Sequence, residues 1–325
     1  MQHLFVADPP ELFLPEADTT IAFLREAGRR GHESHICQIG SLGARDGGRP
    51  FAHCTPIVTN DSEEWYELGE PESRFLDEFD VVWMRKDPPF DMRFYYATHL
   101  LSLVQPPTLV VNDPLALRDA NEKLVALRFP DLCPETLISS EIKELVAFLD
   151  HLGGDMIIKP LGGAGGEGIF HLTAGDRNVR AILEMATHQE TEFLMAQAYV
   201  PEVRQGDKRV IVVDGEALGA VLRVPHESES RANFHVGGSA HATELNERDL
   251  EICAQVGPTL KAMGIVFAGL DIIGHWMTEV NVTSPTGIRE IAALGGPALE
   301  VDVLDAVERR WSDRRGSYRD RLGIG

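Results

Sequence analysis

The first part of the chain alternates short apolar runs with segments of helical spacing. Residues 4–7 predict a buried strand, and Ile21, Leu24 and Ala27 then recur on one face of a predicted helix that ends at Gly31. Further strands are predicted at 35–39, 81–84 and 108–111, with a loop and a small hairpin between residues 40 and 50. This order is typical of a parallel sheet covered by helices.

From about residue 114 the pattern changes. Helices are predicted at 115–129, 141–152, 179–186, 249–263 (kinked at Pro258) and 301–311, with a frayed tail beyond. Single strands are predicted at 156–159, 169–172 and 193–200. One hairpin is predicted to turn at Asp214-Gly215 between 209–213 and 217–224, and a second to join 267–273 to 277–282. Hairpins imply antiparallel pairing, unlike the first part of the chain.

A glycine-rich loop separates two of these strands. It contains Gly162, Gly163, Gly165, Gly166 and Gly168. Without a Cβ in the way, the backbone N–H groups of such a loop can approach phosphate oxygens closely. The loop has neither a Walker sequence nor a following helix, so a flexible hairpin turn explains it about equally well when it is taken alone.

The surroundings of the loop favour phosphate binding. Lys159 ends the preceding strand and Lys123 lies on an earlier predicted helix; each alone would be interpreted as a surface lysine. The segment Gln197-Ala198-Tyr199-Val200 ends a strand, where free backbone groups can bind a purine edge, although a plain buried strand is the simpler interpretation.

The second predicted hairpin carries three oxygen-bearing side chains. Glu279 and Asn281 are two apart on one strand, so they share a face, and both supply oxygen ligands suited to Mg²⁺. A three-residue loop, 274–276, would place Asp271 opposite Glu279 on that face; a two-residue loop would turn it away. We therefore predict the three-residue loop. Solvent exposure fits poorly, because the neighbouring positions are apolar.

Basic side chains occur in the same half of the chain: Lys208, Arg209, Arg223 and Arg289. A guanidinium group matches the oxygens of a phosphoryl group and stays charged, so arginines suit phosphoryl transfer. Ordinary surface ion pairing competes with this interpretation for each residue.

Composition narrows the class of protein. The chain has 325 residues and a formal net charge of -21, which should repel nucleic acid and anionic membranes. Four scattered cysteines suggest neither a zinc site nor a disulfide framework. The N-terminus does not resemble a signal peptide, and no apolar run approaches the roughly 20 residues of a membrane span. We expect a cytoplasmic protein that binds neither nucleic acid nor membranes.

These motifs together resemble the ATP-grasp superfamily, and within it bacterial glutathione synthetase. The resemblance rests on 84–91 (MRKDPPFD), 117–124 (LRDANEKL), 206–210 (GDKRV), 213–216 (VDGE) and 279–286 (EVNVTSPT), and extends to about residue 308. It implies an α/β fold of ATP-grasp architecture: a parallel α/β domain (1–122), then an ATP-grasp domain (123–310) and a tail (311–325). The ATP-grasp domain would comprise a small α+β lid (123–200) and an α+β part with an antiparallel sheet (201–310).

The resemblance also implies roles. Lys123, Lys159, Lys208 and the glycine-rich loop would bind ATP, with residues 197–200 at the adenine. Asp271, Glu279 and Asn281 would hold two Mg²⁺ or Mn²⁺ ions. Arg209 and Arg223 would act in catalysis, and the substrate residues would be Arg85, Ser284, Thr286 and Arg289. The implied reaction joins γ-glutamylcysteine to glycine at the expense of ATP, in a homo-oligomer, by family a homotetramer.

Three segments depart from the family pattern: the start of the glycine-rich loop, Arg231-Ala232-Asn233 in a second loop, and 292–300. They bear on loop motion and on the choice of amine. Two alternatives stay open, an ATP-grasp ligase for another acid or amine and a nucleotide-binding regulator without catalysis. A dinucleotide-binding dehydrogenase is disfavoured, because the first strand is followed by Asp8-Pro9-Pro10 and not by a glycine fingerprint.

Overall fold

The computed structural model describes residues 1–60, 62, 64–226 and 238–322. They form three β-sheets, each with its own helices. Within these residues, no helix combines the length and the apolar character needed to cross a bilayer. The second loop singled out in the sequence, Arg231–Asn233, lies outside the described residues.

The N-terminal part contains an eight-stranded sheet. Its elements are β1 (Gln2–Val6), α1 (Thr19–Arg29), β2 (Glu33–Cys37), β3 (Leu42–Arg45), β4 (Arg49–Thr59), β5 (Tyr66–Leu68), β6 (Glu72–Phe75), β7 (Val81–Met84), α2 (Met92–Leu101), β8 (Leu109–Val111) and α3 (Pro114–Asp119). The strand order is β3-β4-β2-β1-β7-β8, with β5 and β6 also paired to β4. The predicted parallel core, β2-β1-β7-β8, is confirmed, and β4 joins it in the antiparallel direction.

A small four-stranded antiparallel sheet follows. Its elements are β9 (Thr136–Ser139), α4 (Ile142–His151), β10 (Asp155–Pro160), β11 (Phe170–Thr173), α5 (Val179–Ala186) and β12 (Leu194–Ala198), with strand order β11-β10-β12-β9. The glycine-rich loop joins β10 to β11. Leu145, Ile158 and Leu183 belong to a hydrophobic core made only of residues from this segment. A separate core lets this unit, which we call the lid, pack as a body of its own.

The C-terminal part contains a five-stranded antiparallel sheet. Its elements are β13 (Asp207–Val213), β14 (Glu216–Val224), β15 (Ser239–Ala242), α6 (Glu247–Met263), β16 (Phe267–Ile273), β17 (Trp276–Asn281), α7 (Ile288–Ala293) and α8 (Leu299–Leu322), with strand order β15-β14-β13-β16-β17. Both predicted hairpins are confirmed, and Asp214-Gly215 turns with positive φ at both residues. Helix α6 runs without interruption across Pro258.

The N- and C-terminal parts share their cores. The rings of Phe23 and Phe267 meet edge to face at 5.3 Å. The Asn112 side chain donates to the carbonyl oxygens of Phe267 and Val282, each at 2.8 Å, and accepts from the backbone N–H of Val266. These contacts join the two parts into one body, against which the lid is set. The domain limits at residues 122 and 200 stay predictions.

Two predictions of regular structure are wrong. The helix expected at 115–129 ends at Asp119, and a short 3-10 helix, Val125–Arg128, follows. The break arises because Asn121 Oδ1 accepts from the backbone N–H groups of Lys123 and Leu124, which competes with helix continuation. The tail expected to fray beyond residue 311 is helical as far as Leu322.

A buried histidine, His3 of β1, lies beside the partly buried His32. Trp83 Nε1 donates to His3 Nδ1 at 2.9 Å, so the proton of His3 is on Nε2, which lies 3.0 Å from His32 Nδ1. Burial, with repulsion from His32 and the amino terminus, lowers the pKa of His3 to about 3. The unfolded chain therefore binds a proton here at pH values where the folded chain does not.

We expect the free energy of unfolding to fall as pH drops below 6.5, by about 1.4 kcal/mol per pH unit through His3. The variant His3→Gln should lack this part of the slope. Urea unfolding at pH 7.5, 6.5 and 5.5 measures it, with the exposed His99→Gln as the control that keeps the wild-type slope. Parallel slopes for wild type and His3→Gln would contradict the assignment.

Candidate functional site

A cleft with about 810 Å³ of empty space lies between the lid and the C-terminal sheet. One wall comes from the lid and the opposite wall from β13, β16 and β17. Its lining residues are Lys123, Ile157, Lys159, Gly163, Ala164, Gly165, Gly166, Glu167, Ile169, Gln197, Ala198, Tyr199, Val200, Val203, Asp207, Asp271, Ile273, Thr278 and Glu279. Most of the residues singled out in the sequence for nucleotide and metal therefore meet in one cavity.

Two lysines reach the cleft from different parts of the chain. Lys123 Nζ lies 2.8 Å from Glu279 Oε1 and donates to the carbonyl oxygen of Gly163 at 2.7 Å. Lys159 Nζ donates to Gln197 Oε1 at 3.0 Å. Burial lowers the pKa of Lys159, Glu279 opposes this effect and Lys123 adds to it. A polyanion placed between these buried ammonium groups would offset their desolvation.

The glycine-rich loop closes one side of the cleft. Gly163, Gly165 and Gly166 line it, whereas Gly162 and Gly168 lie at the ends of the loop, outside the lining. Gly168 has a φ of +70° and passes so close to Pro160 that a Cβ would lie 2.7 Å from its Cγ. A Cβ on Gly162 would meet nothing within 4 Å. Gly168 is therefore required by the path of the chain, and Gly162 is not.

The end of β12 forms a largely apolar part of the cleft. Gln197, Ala198, Tyr199 and Val200 all line it, together with apolar side chains at 157, 169 and 203. The Tyr199 ring stacks on His171, with centroids 4.0 Å apart and planes 17° apart. Backbone polar groups beside apolar walls suit a heteroaromatic base.

The hairpin β16–β17 brings Asp271, Glu279 and Asn281 onto one face. The predicted three-residue loop is wrong: Ile273 pairs with Trp276, which leaves a two-residue loop. The expected side-chain geometry nevertheless holds, because the register shifts between Asp271 and Ile272. Thr278 is the extra residue of this β-bulge, and it restores Asp271 opposite Glu279. Asn281 Nδ2 donates to Asp271 Oδ2 at 3.1 Å.

Two arginines hold the Asp271 carboxylate. Arg209 donates through Nε and Nη2 at 2.5 and 3.0 Å, and Arg223 Nη2 lies 3.0 Å from Asp271 Oδ1. Burial by itself would raise the pKa of Asp271, but the two guanidinium charges outweigh it and hold that pKa below its ordinary value. Asp271 is therefore a carboxylate anion throughout the neutral range.

Asp207 is a cleft residue that sequence reasoning missed. Its carboxylate pairs with Arg223 Nη2 at 2.6 Å, while Oδ1 is buried without a hydrogen bond. Burial raises the pKa of Asp207 to about 6; Arg223 opposes this and the negative charge of Asp271 adds to it. The available signal was its spacing of two from Arg209 on a strand, which places both side chains on one face.

The donor set on the hairpin fits a hard divalent cation. Two carboxylates and one amide supply oxygen ligands, and Mg²⁺ commonly completes its shell with water and phosphate oxygens. Among the described residues, no three His, Cys, Asp or Glu side chains gather into a metal cluster. Three protein ligands are fewer than octahedral Mg²⁺ needs, so these residues would share the ion with water and phosphate oxygens.

Lys208 does not join the other phosphate-binding candidates. It alternates with Asp207 and Arg209 along β13, so its side chain leaves the opposite face. There its Nζ lies 2.5 Å from Asp249 Oδ2, at the start of α6. We therefore correct its expected role: Lys208 neutralises a buried carboxylate and does not line the cleft.

The four residues expected to bind the substrate are Arg85, Ser284, Thr286 and Arg289. Arg85 directly follows β7 of the N-terminal sheet, and the other three follow β17. Arg85 is buried and donates to the Pro285 carbonyl at 3.2 Å, and Ser284 Oγ donates to the Arg85 carbonyl at 3.3 Å. The Thr286 carbonyl accepts from Arg209 Nη1 at 3.1 Å. Arg289 Nη2 donates to the Pro15 carbonyl at 2.8 Å. The loop 284–287 thereby links Arg85 to Arg209 through two neighbouring carbonyl groups.

We expect Arg223→Met to lower the free energy of unfolding at pH 7.5 by about 3–5 kcal/mol, because it leaves two buried carboxylates short of a cation. The deficit should narrow at pH 5, where Asp207 takes up a proton. Urea unfolding at both pH values measures this. Lys261→Met is the matched control: Lys261 is 56% exposed and pairs with Asp214, so its loss should cost at most about 1 kcal/mol. Equal effects would contradict the buried charge network.

Comparisons with known proteins agree with this geometry. Residues 1–118 match the model of the prokaryotic glutathione synthetase N-terminal domain, and residues 122–296 match that of the prokaryotic glutathione synthetase ATP-grasp domain. Glutathione synthetase of Brucella melitensis biotype 1 is 47% identical over 90% of this chain and 94% of its own length. Glutathione synthetase of Synechococcus elongatus is 44% identical over 95% of this chain and 98% of its own length.

Solved structures show the fold. The crystal structure of D-cycloserine synthetase DcsG, 16% identical, superposes with a TM-score of 0.65 over 95% of this chain and all of its own. The structure of ATP-grasp ligase PsnB complexed with minimal precursor is 18% identical in sequence. It superposes with a TM-score of 0.61 over 95% of this chain and 98% of its own. The expected ATP-grasp architecture is confirmed, and the chain belongs to the prokaryotic glutathione synthetase family.

Proposed function

We propose that this protein joins the cysteinyl carboxylate of γ-glutamylcysteine to the amine of glycine. ATP is split to ADP and phosphate, and the product is glutathione. The observation that carries the proposal is the convergence of Lys123 and Lys159 with Asp271 and Glu279 across one cleft, in a chain of this family. Asn281 lies outside the lining and is hydrogen-bonded to Asp271. Family membership does not favour either alternative left open by the sequence, a different ligase or an inactive nucleotide binder.

In the proposed mechanism the two ends of the cleft have different tasks. Residues 197–200 hold the adenine, and Lys123, Lys159 and the glycine-rich loop hold the phosphates. Asp271, Glu279 and Asn281 would hold Mg²⁺, or Mn²⁺, as two ions, which supply charge neutralisation at the phosphate oxygens when bound. The proposed reaction needs only small-molecule substrates. That the protein is cytoplasmic and forms a homotetramer stays a prediction.

The chemistry needs positioning more than covalent participation by the protein. The carboxylate of γ-glutamylcysteine, placed near Arg85, Ser284, Thr286 and Arg289, attacks the terminal phosphoryl group of ATP. Arg209 meets the transferred group, and Arg223 keeps Asp271 and Asp207 ionised and in place. The acyl phosphate formed is then attacked by the amine, and phosphate leaves. The closed loop keeps water from the acyl phosphate.

The direct test combines purified protein, ATP, MgCl₂, γ-glutamylcysteine and glycine. We expect tripeptide by mass spectrometry and one ADP for each tripeptide, both dependent on all five components. Excess EDTA should abolish turnover, and MgCl₂ or MnCl₂ should restore it. Turnover that prefers another acid or amine would replace the proposed substrates, and ATP binding without turnover would favour the inactive binder.

Gly168→Ala should raise the KM for ATP by about five- to thirtyfold, because an alanine at positive φ costs about 1–2 kcal/mol and its Cβ would also press on Pro160. Gly162→Ala is the matched control, and we expect a change of less than threefold. Steady-state kinetics with varied ATP compares them. Similar KM values for both variants would show that ATP binding does not depend on the backbone conformation of the loop at Gly168.

A further inference from the structure

Glu290 is a carboxylate at the site that no role above uses. It lies in α7, three residues after Gly287, and is only partly buried as a residue. Its Oε2 is buried without a hydrogen-bond partner. Within the described part of the chain, no lysine or arginine forms an ion pair with it. A carboxylate left in this state has unused capacity for a cation.

The position of α7 places Glu290 at the reacting end of the site. A Cβ on Gly287 would lie 3.2 Å from Arg209 Cγ, so the start of α7 packs directly on the residue proposed to meet the phosphoryl group. Burial raises the pKa of Glu290, and the charges of Arg209, Arg289 and Arg223 oppose that effect. The carboxylate is therefore within electrostatic reach of all three arginines.

The second half of the reaction needs a group of this kind. The amino acid arrives as a zwitterion whose ammonium has no lone pair for attack. Arginines attract its carboxylate but repel its ammonium. Three acidic residues at the site already have cations: Asp271 and Asp207 pair with arginine, and Glu279 pairs with Lys123. Unlike these three, Glu290 has no such partner among the described residues, and its Oε2 is buried without a hydrogen bond.

We propose that Glu290 binds the ammonium of the amino-acid substrate and takes one proton from it, while the neighbouring Arg289 attracts the carboxylate. This assignment rests on the proposed function and adds a catalytic residue to it. Arg289 Nε is also buried without a hydrogen bond, so the adjacent pair offers one unused donor and one unused acceptor to a zwitterion.

The ammonium gives one proton to the Glu290 carboxylate and becomes a neutral amine. The nitrogen lone pair forms a bond to the acyl carbon of the acyl phosphate, and the bond from that carbon to the phosphate oxygen breaks. The second proton lost by nitrogen leaves with the phosphate as hydrogen phosphate. Glu290 then returns its proton to solvent.

The test compares two nucleophiles on the same acyl phosphate. Hydroxylamine is largely neutral at pH 7.5 and has no carboxylate, so it needs neither deprotonation nor zwitterion recognition. We expect Glu290→Gln to lower kcat/KM for glycine by about 100-fold or more, the range of general-base catalysis. Hydroxamate formation from ATP, γ-glutamylcysteine and hydroxylamine should stay within threefold of wild type.

Two further variants control the comparison. Glu300→Gln removes a buried carboxylate from the first turn of α8 and should leave both reactions within threefold of wild type. Glu290→Asp keeps the charge, so it serves as the test variant if Glu290→Gln fails to fold. Its ratio of glycine rate to hydroxylamine rate should be at least tenfold below that of wild type. A glycine rate near wild type, or an equal loss with both nucleophiles, would overturn the role of Glu290. A wild-type enzyme without tripeptide product would instead overturn the proposed function.

Discussion

The ion pairs around Asp271 are the constraint on which the site depends. A carboxylate that is 2% exposed would be strongly disfavoured without compensation, and Arg209 and Arg223 supply it from two neighbouring strands. This arrangement ties β13, β14 and β16 together through charge as well as through backbone hydrogen bonds. It also places both arginines on the same face of the sheet as Asp271, where we propose that the metal and the transferred phosphoryl group bind.

The rest of the molecule divides into a body with shared cores and a lid with a core of its own. The N- and C-terminal sheets share their cores and are joined by the hydrogen bonds of Asn112. The lid has a core of its own and meets the other parts across the cleft, where polar contacts such as Lys123 to Gly163 replace apolar packing. We expect a unit attached in this way to open for nucleotide and close over it without disturbing the buried charges on the opposite wall.

Local signals in the sequence were sufficient wherever one element decides the outcome. Apolar periodicity placed β7 and α5 at their observed limits, and the turn at Asp214-Gly215 located the first C-terminal hairpin. The glycine-rich loop and its flanking lysine were also found. These predictions were correct because strand alternation, helical spacing and positive φ depend on residues within a few positions of each other.

Tertiary contacts decided the rest. The bulge at Thr278 corrected a wrong loop length, and the bond of Lys208 to Asp249 removed a lysine that its sequence neighbours had suggested for phosphate. Neither is visible locally, because each depends on a partner strand or helix far away in the chain. The sequence by itself determined the family, the elements and most of the chemistry of the cleft. Only the folded structure decided which charges are paired, because the partners come from strands and helices far apart in the chain.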